Sequence, residues 1–139
     1  MTAVVTHLAL GAPAPGDAAV AEPWYAALDV RAGDRAPALA RAWVDACLPR
    51  AGVDPGHRAE IRRVGIELAR EAALRAADGD TLRVELDVVG PIARVSARGP
   101  ATTQRLGSRA VDALQSAYEW GVERVIGGGR LVWCHLEIA

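Results

Sequence analysis

The stretch Arg58–Ala77, RAEIRRVGIELAREAALRAA, is the longest uninterrupted helical pattern in the chain. At about 100° per residue, Ile61, Val64, Gly65, Leu68 and Ala72 fall on one face. Glu60, Glu67 and Glu71 gather in a narrow acidic stripe beside that face, while Arg62, Arg63 and Arg70 point elsewhere. A row of carboxylates along a buried face is either a salt-bridged helix edge or the wall of a site. Spacing alone favours the edge. Arg63 precedes Glu67 by four and Arg75 follows Glu71 by four, both ordinary surface pairs on a helix.

Downstream, Asp78-Gly79-Asp80 stops the helix and the apolar period switches to two. Leu82, Val84, Leu86 and Val88 alternate with Arg83, Glu85 and Asp87, and Gly90-Pro91 turns the chain into Ile92–Ala97, which predicts a hairpin. Arg98–Gly107 reads as a loop. Ser108 is the expected N-cap of a helix carrying Ala110, Val111, Leu114 and Ala117. Trp120–Ile126 then forms a short strand, Gly127-Gly128-Gly129 a turn, and Val132, Cys134, Leu136 and Ile138 one face of a last strand.

Upstream, the connection RAGVDPGH leads back to a helix over Arg35–Leu48, with Asp34 as its N-cap and Pro49 as its stop. Trp24–Val30 is the first strand of the globular part. Residues 1–22, rich in Ala, Gly and Pro, read as a flexible N-terminal arm holding one short strand, and residues 23–139 as a single domain. The order β-α-α-β-β-α-β-β predicts an α+β two-layer sandwich, with helices on one face of a mixed, largely antiparallel sheet.

Bulk chemistry narrows the function classes. The 139 residues are enough for one real core, and 51% hydrophobic with 24% charged residues is ordinary for a globular chain. A net charge of −1 gives no reason to expect nucleic acid or a membrane surface as partner. All sixteen basic residues are arginine, so no mechanism here uses a lysine. Cys47 and Cys134 sit among apolar neighbours and read as buried free thiols, and no His or Cys spacing suits a metal. No basic residue precedes Arg31 and no apolar run reaches membrane-spanning length, so the expected setting is cytoplasmic, without a signal peptide. Trp43, Trp120 and Trp133 are expected in core and sheet-face packing, and Trp24 with Tyr25 in a contact patch.

The order of elements, and above all Val111–Trp133, VDALQSAYEWGVERVIGGGRLVW, resembles the small ATP-binding regulators of actinobacteria. These form the anti-sigma-factor serine kinase branch of the histidine kinase-like ATPase (GHKL) superfamily. The helix Val111-Asp112-Ala113-Leu114, the strand Trp120-Gly121-Val122-Glu123 and Leu131-Val132-Trp133 stand in the family's order and spacing, and Glu67-Leu68 with Ala72 resembles its N box. The resemblance covers residues 24–139 and implies the Bergerat-type fold of that superfamily. It implies Glu67 as general base and Glu71, at the place of a metal-binding asparagine, as the Mg ligand. Ala97-Arg98-Gly99-Pro100 stands where the family has an adenine-binding aspartate and glycine, leaving Gly99 and Arg98 as nucleotide contacts. Gln104-Arg105-Leu106-Gly107-Ser108 stands for the glycine-rich phosphate loop, leaving Gly107. Arg98 and Arg105 are either solvated loop charges or anchors for an anion other than ATP.

The implied role is a regulator in which binding of ATP and Mg is weak or lost, acting through protein contacts. Its partners would be a sigma factor or an anti-anti-sigma factor, with a homodimer also in view. Two alternatives stay open: an active serine/threonine kinase of such a partner, and a small-ligand protein that reuses the cavity.

Overall fold

The structure, a computed structural model, describes residues 3–9 and 22–138. The elements run β1 (Ala3–Ala9), β2 (Trp24–Arg31), α1 (Ala36–Arg50), α2 (Pro55–Arg75), β3 (Thr81–Val89), β4 (Ile92–Gly99), α3 (Ser108–Leu114), β5 (Glu119–Arg124) and β6 (Arg130–Glu137). β1 is the short strand expected within residues 1–22. Residues 1–2 and 10–21 of that segment lie outside the described residues.

The strands form one sheet in the order β1-β2-β3-β4-β6-β5, and every ladder is antiparallel. The expected parallel pairing is therefore corrected, and the connections explain why. The helix pair α1–α2 adds two traversals between β2 and β3, so β3 returns antiparallel to β2. β4 and β5 run in the same direction, but β6 lies between them and pairs antiparallel with both.

Strand alternation separates the two faces. Register places Leu28, Val84, Ala97 and Val132 side by side in one row, and Ala26, Leu86, Val95 and Cys134 in another. All eight are buried under the helices. The helix layer answers with Ala40, Val44 and Leu48 of α1 and with Ile61, Val64, Leu68 and Ala72 of α2. The face expected for the opening stretch is thus the face that packs, giving an α+β sandwich of two layers.

Several boundaries shift for local reasons. α2 begins at Pro55, whose missing N–H costs nothing in a first turn. α1 continues through Pro49 to Arg50, because a proline in the last turn spoils no later bond. Ala51 and Gly52 donate back to the Cys47 and Pro49 carbonyls to close that end. Gly107, not Ser108, is the N-cap of α3. Trp24 belongs to the core rather than to a contact patch, and Tyr25 donates to Glu85 (2.9 Å). Trp120, expected to pack, is exposed, because β5 lies beyond the reach of the helices. Among the described residues no helix is long and apolar enough to cross a membrane.

Candidate functional site

The second half of α2, the end of β4, the loop 100–107 and the start of β6 enclose one polar cluster. Its centre is Glu71, only 3% exposed. Glu71 lies between Leu68 and Ala72 on the packed side of α2 and so aims into the molecule. A buried carboxylate must be satisfied by charge or hydrogen bonds. Here the Gly107 N–H donates to Oε1 at 2.6 Å, one Arg75 nitrogen donates at 3.4 Å, and an Arg130 nitrogen lies 4.0 Å away.

The two arginines also fasten the loop. Arg75 donates to the Gln104 side chain and, at 3.3 Å, to the Arg105 carbonyl. Arg130 donates to the Gln104 carbonyl at 2.7 Å. Burial pulls the Arg130 guanidinium below its ordinary pKa, against the opposing pull of Glu71. Gly99 closes the floor: a Cβ there would stand 3.1 Å from the Cβ of Ala72. What remains between Leu68, Glu71, Arg75, Gly99 and Arg130 is a cavity of about 10 Å³. That is room for at most one water.

Glu67, one turn earlier, has a different environment. Its side chain is 13% exposed and lies at the seam of α2 and α3, where Arg109 donates to Oε1 at 3.0 Å. Arg70 Nε lies 3.5 Å from its Oε2, without hydrogen-bond geometry. Arg98 is exposed on the other side of the sheet. It lines a surface groove of about 530 Å³ with Asp29, Arg83, Gly99, Gly128 and Gly129.

The structure therefore brings Glu71, Gly99 and Gly107 together, sets Glu67 at an adjoining seam, and places Arg98 on the opposite face. Reading Glu71 and Arg75 as a surface pair is corrected: the pair exists, but its carboxylate is buried and shared with a backbone N–H. Arg130 joins the cluster unexpectedly, whereas Gln104 is expected only as part of the loop and Arg75 only as a surface partner of Glu71. For Arg75 the four-residue spacing from Glu71 was the only available signal. Arg130 carried none, since a strand's first residue is usually solvated. Arg105 contributes its carbonyl, not its charge. Among the described residues no three His, Cys, Asp or Glu side chains converge as a metal site.

The helix-free face of the sheet carries a second set of charges. Arg83 and Asp29 form a two-bond pair at 2.8 and 2.7 Å. His135 Nδ1 contacts Glu119 at 2.7 Å, and Arg94 lies over the Trp133 ring, 5.7 Å from its centroid. Trp133 in turn lies across β5, on Gly121, where a Cβ would come within 2.7 Å of the ring. These groups pair with one another across neighbouring strands, and of them only Asp29 and Arg83 border the Arg98 groove.

No protein-family model matches this chain, and no curated protein matches it.

Proposed function

We propose that this chain is a regulatory protein of the histidine kinase-like ATPase fold, of the anti-sigma-factor serine kinase type, that has lost nucleotide binding. It acts through protein–protein contacts. The order of elements and the residues Val111–Trp133 support the fold reading, and one observation carries the functional one. Where a nucleotide would enter beside α2, Arg75 and Arg130 converge on Glu71 and leave a cavity of about 10 Å³.

Mg·ATP does not fit this arrangement. Glu71, the residue implied for Mg, is already satisfied by the Gly107 N–H and faces two guanidinium groups. The Gly107 N–H, which would otherwise face a phosphate, is turned to that carboxylate. Glu67 is engaged by Arg109 and has Arg70 beside it, which argues against a free general base. The same filling disfavours a small-ligand protein that reuses this cavity. The kinase reading would require both arginines and the loop to withdraw together.

Calorimetric titration of the purified chain with Mg·ATP and Mg·ADP tests the proposal. The expected result is no saturable heat from either nucleotide. Saturable micromolar binding that disappears in Glu67→Ala would overturn it in favour of the kinase.

A further inference from the structure

The free edge of the sheet at β5 points to assembly. Among the described residues β5 has a neighbour on one side only, β6. Trp120 and Val122 point to the helix side, opposite Cys134 and Val132, yet remain 40% and 45% exposed. Tyr118, at the entry to the strand, is 70% exposed. The sequence EWGVER has neither the proline nor the lysine with which sheet edges are commonly blocked.

The backbone fixes which groups are on offer. Val125 N–H bonds to the Gly129 carbonyl at 3.1 Å, one step beyond the Arg124–Arg130 pair of the β5–β6 ladder. Hydrogen-bonded pairs alternate along an antiparallel ladder. Glu123 and Gly121 therefore bond toward β6, and Arg124, Val122 and Trp120 aim N–H and C=O outward.

The geometry points to a second copy of this chain as the occupant, with the two β5 strands paired antiparallel about a two-fold axis through Val122, perpendicular to the sheet. Such an axis keeps both helix layers on one side and pairs only positions of equal parity. Centring on Gly121 would set Glu119 against Glu123 of the second copy, and centring on Glu123 would set that carboxylate against itself. Both oppose like charges. Centring on Val122 pairs the two valines and sets Trp120 beside Arg124 of the second copy, a cation on an aromatic face. It also sets Gly121 beside Glu123 of the second copy. Two bonds in each of three pairs give about six backbone hydrogen bonds.

On the helix-free face of the same edge the Trp133 ring lies over Gly121, where an added Cβ would be 3.0 Å from its Nε1. The inference is independent of the nucleotide question, because β5 takes no part in the Glu71 cluster.

Sedimentation velocity of the full chain across the micromolar range is the test. The expected result is a concentration-dependent monomer–dimer equilibrium. Val122→Lys, which opposes two ammonium groups at the axis, should abolish the dimer while leaving the thermal melt of the dilute, monomeric chain unchanged. Arg124→Ala, which removes the cation set beside Trp120 of the second copy, should weaken the dimer several-fold. Val122→Cys should oxidise to a disulfide-linked dimer, because hydrogen-bonded pairs place their Cα atoms about 5.5 Å apart, within disulfide reach. Trp120→Cys, which faces Arg124, should not. A chain that stays monomeric throughout would leave the edge to a strand of another protein and overturn the proposal. So would a dimer that survives Val122→Lys, or Trp120→Cys cross-linking as readily as Val122→Cys.

Discussion

Glu67 and Glu71 share a helix, a side-chain type and an arginine neighbour, and their surroundings still separate them. Glu71 is enclosed and takes a backbone N–H from 36 residues away; Glu67 stays at a seam under Arg109. That difference could not be read from the sequence, because the spacing to Arg75 is the same for an exposed pair and a buried one. Gly121 shows the same limit. In the sequence it is a glycine in a strand; in the structure it is the bed of Trp133. An alanine there puts its Cβ 2.7 Å from ring Cζ2 and 2.9 Å from Cε2. Gly121→Ala should therefore cost about 1–3 kcal/mol in urea unfolding. In a Trp133→Val background the cost should largely vanish, and an undiminished cost would place the strain elsewhere.

At the level of elements, the hairpin β3–β4, the helices α1 and α2 and the glycine turn before β6 were all legible, because each is written in local period or turn chemistry. The loop 100–107 was legible only as a loop. Its anchorage comes from Arg75 on α2 and Arg130 on β6, and long-range hydrogen bonds leave no local pattern. These contacts tie the loop to two rigid elements at once. Arg75→Ala frees the Gln104 side chain and the Arg105 carbonyl and removes one cation from Glu71. The expected outcome is a loss of about 1–3 kcal/mol of stability. Native-state hydrogen exchange should show faster exchange at amides 101–107, with α1 protected as before. Unchanged exchange in the loop would mean that Arg130 and Gly107 hold it alone.

Across the whole molecule, the two faces of the sheet differ in chemistry. Across β2–β6 the helix side is apolar apart from Arg124 and Arg130 at one end of the last hairpin, and the helix-free side is a grid of charges set by strand register. Asp29 and Asp87 lie on that grid with opposite pH behaviour. The hydrogen bond from Arg83 holds the Asp29 carboxyl below its ordinary range, whereas burial pushes that of Asp87 up. The stabilisation from Asp29 is present above its unfolded pKa of about 4 and is lost as pH falls through its lower folded value. Asp87 works in the reverse sense: its ionisation costs stability at neutral pH and the cost disappears on acidification. Asp29→Asn should lower stability at neutral pH by about 1 kcal/mol, with the difference closing in strong acid. Urea midpoints at the two pH values measure this, and an equal loss at both would assign the effect to packing. The two-layer architecture was legible because alternation and helical period each name a buried face. Strand direction was not, since it depends on how many times the chain crosses the molecule between partners.

The two cysteines lie in different layers of one core, Cys47 on α1 and Cys134 on β6, and neither is bridged. Burial pushes their thiols up to about 11 and about 12. Nucleophilic sulfur chemistry needs the thiolate, so neither sulfur responds to an oxidant while the layers stay closed. Oxidation of either cysteine is thereby limited by how often helix and sheet part, and thiol reactivity is a record of that breathing.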